Sequence, residues 1–336
     1  MQAIIPIDNF NIEKSFKLGN VVFLPANQYK ISSLKQKPIE LPNVFIEDDL
    51  EAYEFAGESL RDLASVMTGI HLEDVWNITV AVIELDHGSM SYYLNSKDQD
   101  EVMLIEACNK LEQVMDIVRV NFCRMDNSLM NPGLAGLLNT GYSGMILISP
   151  DEEDQYRIIG NRFYGLTMVN GIGLELSEQQ IDILLQSEFV SMLIDEELNG
   201  VKKLSRLALR RLSEAMYVPH LDSKFIYLMT TIETLASREY LNFKKVKSKV
   251  VPLIVKSKSE YHALSEELRE YSEDVRTEIV HNGKSISDIS TEYRKILLRL
   301  QFIIVRYVVA LNHSGCSTEE ELEELRLSKM RELGIS

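Results

Sequence analysis

Between Leu297 and Leu311 nearly every residue is apolar, inside a helical pattern that runs from about Ile289 to Asn312. A helix apolar on most of its circumference has no wide face to give to water. It belongs at the centre of a helical bundle or in a subunit interface. The preceding residues supply companions. Val201–Tyr217 reads as one helix, and a second begins near Asp222, an N-cap residue type, to bury Phe225, Leu228, Ile232 and Leu235. Lys244, Lys245, Lys247 and Lys249 form a short basic helix that Pro252 should end. Ser257-Lys-Ser-Glu260 opens a longer helix, and Ser317-Thr-Glu-Glu320 caps a last, acidic one.

The longer helix carries Tyr261, Leu264, Leu268, Tyr271, Val275 and Ile279 at three- and four-residue steps, which makes one apolar stripe. Asn282-Gly283, tolerant of left-handed backbone, should stop it. Arg276 and His281 lie off the stripe, roughly 7.5 Å apart along the axis and about 140° apart around it. A histidine in a last turn faces the negative end of the helix dipole, and histidine is the side chain suited to moving protons near neutral pH. Arginine is a permanent cation whose fork fits phosphate oxygens. Together, and without a metal, they suit cutting RNA through attack of its own 2′-hydroxyl. Spacing alone favours the plainer reading, two solvated residues at a helix end.

The residues Arg276-Thr-Glu-Ile-Val-His281, followed by Asn282-Gly283, resemble the Arg-x4-His hallmark of HEPN domains, most closely the Apea-like branch. Upstream, Asp222-Ser-Lys-Phe-Ile-Tyr-Leu-Met-Thr-Thr-Ile-Glu233 is similar to the family's earlier helix, which carries a Glu after an apolar turn. The resemblance covers the C-terminal domain and leaves the first two hundred residues or so unexplained. It implies an antiparallel helical bundle and a metal-independent endoribonuclease with no cofactor, toxin-like or antiviral in role. Arg276 and His281 would be catalytic; Glu233 could orient Arg276 by an ion pair, and an ordinary helix-surface acid explains it equally well. Asn282, beside the motif, would touch RNA. Many active members carry Asn, Asp or His after the Arg, where this chain has Thr277. That departure keeps open a non-catalytic nucleotide- or RNA-binding, regulatory module.

Charge divides the chain the same way. Residues 1–200 hold 12 Lys and Arg against 32 Asp and Glu, a net of −20, and residues 201–336 hold 23 against 19, a net of +4. Nucleic acid is therefore expected on the second part. Lys202, Arg206 and Arg210 share one helical stripe that could hold RNA phosphates, although a solvated basic face explains it as simply. The acidic first part could restrain the second or meet a regulatory partner. Cys108, Cys123 and Cys316 are scattered and odd in number, so neither a disulfide framework nor a CxxC metal site is expected, which fits a cytoplasmic protein. MQAIIPIDNF lacks a basic region and a long apolar core, so it is not read as a signal peptide. The run Phe302–Leu311 contains Arg306 and reads as too short for a membrane.

Residues 1–198 read as an α+β domain. Strands are expected at Ala3–Ile7, Val21–Leu24, Val44–Ile46, Val75–Leu85 (with Trp76), Tyr92–Leu94 and Met145–Ile148. Helices are expected from Glu47 to about Gly69 and over Gln99–Arg124. Ser177-Glu-Gln-Gln180 is a capping box that should open a helix to about Leu198. Asp151–Asp154 reads as a solvated turn, Gly171-Ile-Gly173 as turns and not a dinucleotide loop, and His71 and His87 as structural. The expected whole is an N-terminal α+β domain, 1–198, followed by an all-α antiparallel bundle, 199–336. The bundle would be a homodimer that joins two motif helices, bound to RNA and not to a membrane.

Overall fold

The computed structural model of the protein describes residues 2–26, 37–38, 78–85, 97–138, 142–149, 155–162, 172–194, 199–237 and 241–335. The helix expected over 47–69, the strands at 44–46 and 92–94, Trp76, His71, His87, the turn 151–154 and Gly171 lie outside these residues. Two compact units divide the chain. One is Met1–Met115 with Leu129–Ser187, and the other is Asp116–Ser128 with Glu188–Ser336. The second unit thus begins at Glu188, not Asn199, and takes in a segment from the middle of the sequence.

The first unit is built on strands β1 (Gln2–Ile7), β2 (Phe10–Ile12), β3 (Phe16–Leu18), β4 (Val21–Leu24), β5 (Lys37–Pro38), β6 (Thr79–Glu84), β7 (Tyr142–Ser149), β8 (Gln155–Arg162) and β9 (Leu174–Leu176). Seven of them form a sheet in the order β3-β4-β6-β1-β7-β8-β5, antiparallel except for β5 against β8, and β2 pairs with β9 in parallel. In β1, Ile4, Ile5 and Ile7 are all fully buried. The strand has no solvent face, as a central strand covered on both sides requires. The hairpin β3–β4 turns on Gly19-Asn20, with Leu18 opposite Val21 and Gly19 in left-handed backbone at φ 61°. Phe16 and Phe23 stack across it at 4.7 Å. Gly173 has φ 78°, and a Cβ there would lie 2.1 Å from the Asn9 carbonyl oxygen. That glycine is a point of close backbone approach, in keeping with a turn.

Helix α1 (Lys97–Phe122) begins in this unit, and α2 (Glu178–Leu185) closes it. The Ser177 hydroxyl accepts from the Gln180 N–H while the Gln180 side chain accepts from the Ser177 N–H, the reciprocal cap expected. The helix stops at Leu185, well short of Leu198, and a short α3 (Ser191–Ile194) follows.

The second unit is helical: α4 (Gly200–Met216), α5 (Leu221–Ala236), α6 (Phe243–Ile254), α7 (Lys258–Arg269), α8 (Arg276–Val280), α9 (Ile286–Ile289), α10 (Tyr293–His313) and α11 (Glu319–Glu332). Asn199 caps α4 and Ser257 caps α7. The cap of α11 is Thr318, one residue past the Ser expected, with Glu321 completing the box. Asp222 does not cap α5. It sits in the first turn, and its Oδ1 accepts from the Ile286 N–H at 2.7 Å, tying α9 to α5. Pro252 does not end α6 but lies buried in its last turn. Its missing N–H removes one bond, to the carbonyl four residues earlier, and the helix ends two residues later at Ile254. Phe225, Leu228, Ile232 and Leu235 are buried as expected.

The segment from the middle of the chain is fastened by buried polar groups. Gln301 of α10 donates to the Cys123 carbonyl at 2.9 Å and accepts from the Met125 N–H at 2.7 Å. The guanidinium of Arg119, 1% exposed, donates to Ser213 Oγ at 3.0 Å and lies 5.0 Å from the Tyr217 ring centroid. Helix α10 buries Leu297, Leu300, Ile303, Ile304, Tyr307, Val308 and Leu311. By length and composition it could cross a membrane, a longer element than the apolar run suggested. Its buried face is the core of this unit.

Candidate active site

The motif helix is not one regular helix. Between α7 and α8 the residues Glu270–Val275 form a π-helical turn, and the Arg276 N–H donates to the Tyr271 carbonyl, five residues back. A π turn holds one residue more than an α turn, so it rotates whatever follows by roughly 100° from an unbroken α-helix. Leu264, Leu268, Tyr271 and Val275 are buried along the stripe, and Arg276 is the first residue past the wide turn. Its side chain is half-buried, and Nη1 donates to the Glu233 carboxylate of α5 in an ion pair. The two sequence-predicted groups therefore meet. Ion pairs as exposed as this one are worth at most about 1 kcal/mol, so its effect is to fix a direction more than to hold the fold.

A groove of about 380 Å³ runs along α5, lined by Arg211, Asp222, Ser223, Ile226, Tyr227, Thr230 and Ile279. Thr230 lies one turn before Glu233 and Ile279 one turn after Arg276, so the ion pair stands at its edge. Arg211 reaches in from α4 and donates to Thr234 Oγ1 at 2.6 Å, while Tyr227 donates to the Glu214 carboxylate. Burial first, and then that hydrogen bond, push the Tyr227 hydroxyl up to about 12.

His281 ends α8. Its N–H donates to the Thr277 carbonyl at 2.9 Å, its side chain is exposed, and the imidazole has no partner among the described residues. Asn282 donates to Glu278 at 2.9 Å, and Lys284 pairs with Glu278 at 2.6 Å. The lysine first, then the amide, hold the Glu278 carboxyl below the usual range. Gly283 has φ 65°, and the Lys284 N–H donates to the Glu278 carbonyl six residues back, the helix stop that Asn-Gly predicted. Within one chain Arg276 and His281 do not share a partner.

Of the basic stripe on α4, Arg210 pairs with Glu214 at 2.9 Å, and Lys202 and Arg206 are half-buried and each engaged by a neighbour. The stripe is less open than three bare cations would be. Sequence reasoning missed Tyr227 and Thr230. Their signal was present in the three-residue steps from Tyr227 to Thr230 to Glu233. Burial pushes the thiols of Cys108 and Cys123 up to about 12, so both stay protonated and poor nucleophiles. Among the described residues no three His, Cys, Asp or Glu side chains converge as metal ligands. Comparison with protein-family models, with curated proteins and with solved structures finds no match to this chain.

Proposed function

We propose that the protein is a metal-independent endoribonuclease of the HEPN type, active as a homodimer through its C-terminal bundle. The observation that carries the reading is Arg276, aimed by Glu233 from another helix directly after a π turn. Such turns recur at functional sites, where they re-aim a side chain without ending the helix. The guanidinium has five N–H groups. One donates to Glu233, and others remain for the non-bridging oxygens of a phosphate, where negative charge grows in the pentacoordinate transition state. His281 takes the proton of the 2′-hydroxyl as its oxygen attacks phosphorus. The bond from phosphorus to the 5′-oxygen breaks, and that oxygen takes a proton from His281 of the second subunit. The products are a 2′,3′-cyclic phosphate and a free 5′-hydroxyl. In one chain Arg276 is engaged by Glu233 while the imidazole of His281 has no partner among the described residues, and a second copy would supply the second histidine. A cytoplasmic setting and a toxin-like or antiviral role belong to the same reading, with Lys202, Arg206, Arg210 and Asn282 as further contacts to RNA.

A second reading is favoured by Thr277 and by the carboxylate that Arg276 already holds. In it the bundle binds a nucleotide or RNA and cuts nothing. Incubation of the purified protein with total RNA in EDTA separates the two. The nuclease reading expects cyclic-phosphate ends, and it expects His281→Ala to lose at least about 100-fold in rate with an unchanged melting temperature. Cleavage that survives in His281→Ala, or that EDTA abolishes in the unmodified chain, sinks it.

A further inference from the structure

On the outer face of α10, Phe302 is 48% exposed although the helix is otherwise a core element. Arg299 and Arg306, one turn to either side, hold their guanidinium carbons 5.7 and 5.5 Å from its ring centroid. Both distances fall within cation–π range. Beside the ring, Val120, Arg124, Lys295, Leu298 and Val305 help line a groove of about 580 Å³. From Lys295 to Val305 it follows about 15 Å of helix. That is longer than a single base needs.

Arg124 holds Asp126 and Arg299 holds Glu267 through two nitrogens each, at 2.8–3.2 Å, which leaves other N–H groups of each guanidinium uncommitted to that pair. In each pair the arginine side chain is the more exposed partner, 60% against 20% and 40% against 26%. Lys295 pairs with Glu292 in open solvent. Arg306 has no ion pair among the described residues. In a chain of net charge −16, cations gathered around an exposed ring mark this face for a polyanion with flat apolar parts. A second copy fits less well, because a two-fold contact would set Lys295, Arg299 and Arg306 against the same cations.

We propose that this groove binds single-stranded nucleic acid, with one base stacked on Phe302 and the adjoining phosphates held by Arg124, Arg299 and Arg306. Aromatic platforms within a cationic track are how sequence-tolerant single-strand binders work. The inference does not depend on the chemistry assigned to Arg276 and His281.

The test is anisotropy of labelled oligouridine and oligothymidine, each about twelve nucleotides long, titrated with the full chain carrying His281→Ala in EDTA. Phe302→Ala should weaken binding roughly 5- to 100-fold, the loss of one stacked base, and Phe302→Tyr should keep it. Arg306→Glu should weaken binding and flatten its salt dependence. Both strands should bind, since base and phosphate are common to them. Unchanged affinity in Phe302→Ala and Arg306→Glu variants that melt like the parent would overturn the proposal. So would equal competition by a duplex, or saturation by uridine monophosphate at micromolar concentration, which would mean a mononucleotide pocket. If Phe302→Ala splits a dimer in light scattering and leaves binding intact, the face belongs to a second copy and the proposal fails. Cleavage is read separately in the His281-intact chain, so loss of the nuclease reading leaves this result unaffected.

Discussion

Arg269 and Arg276 stand on either side of the same π turn and are almost equally exposed, 39% and 33% at the side chain. Their partners differ. Arg269 pairs with Glu266 at 2.6 Å and Glu273 at 3.0 Å, both on its own helix at three- and four-residue steps. Those pairs form wherever the helix forms and say nothing of what it packs against. Arg276 pairs with Glu233, which reaches it only when α5 is docked. Two arginines on one helix thus have different jobs. One supports a helix, and the other is held at a place.

The strongest way to break that contrast is to truncate each arginine in turn. On the nuclease reading, Arg276→Ala should lower the cleavage rate about 100- to 1,000-fold, the loss when one preorganised donor to a transition-state oxyanion is removed. Arg269→Ala should leave the rate unchanged and shift stability by no more than about 0.5 kcal/mol. Initial rates on a labelled RNA decide it, and equal losses in the two variants would erase the distinction. Next in size is insertion of one alanine between Val275 and Arg276, where the π turn ends. One more residue should swing Arg276 roughly 100° from Glu233. On the nuclease reading a displacement of that size should lower the rate at least 100-fold, whereas deletion of Ser272 removes the residue that the wide turn absorbs, leaves Arg276 facing Glu233 and should keep the rate. Equal rates in the insertion and the parent would mean that the direction of Arg276 does not matter.

What the sequence made legible was mostly local. Ser177 with Gln180, Ser257, and the stop at Asn282-Gly283 each act within a few residues of themselves, and each appears in the structure as read. The stripe from Leu264 to Val275 is legible for the same reason, since it repeats along a single helix. The π turn was not. Glu270–Val275 holds no Pro or Gly to announce it, and only Ile279 of the apolar stripe lies beyond it, too short a run for a change of phase to show in the spacing. Asp222 looked like a cap because its type is right, but its partner is Ile286, sixty-four residues on. Placing Asp116–Ser128 with the second unit likewise depends on Gln301 and Ser213, contacts that no window of sequence contains. The meeting of Arg276 with Glu233 was reachable only through resemblance to a family.

The smallest expected effect tests the same contrast on one carboxylate. Glu214 accepts from Arg210 four residues earlier on α4 and from Tyr227 on α5, one local partner and one across the packing. The Tyr227 hydroxyl, ordinarily near 10, is pushed up to about 12. Above pH 10 the unfolded chain gives up this proton while the folded chain keeps it, so the unfolded state binds fewer protons. The contribution is therefore fully present below about pH 10 and is lost as pH rises from there to about 12. Tyr227→Phe removes it, so the variant's chemical-denaturation midpoint should fall less steeply than the parent's over that window. Arg210→Ala leaves the phenol its cross-helix acceptor, so its slope should follow the parent's. If Tyr227→Phe and the parent lose stability in parallel, the hydrogen bond between α4 and α5 does not hold the proton in the folded state.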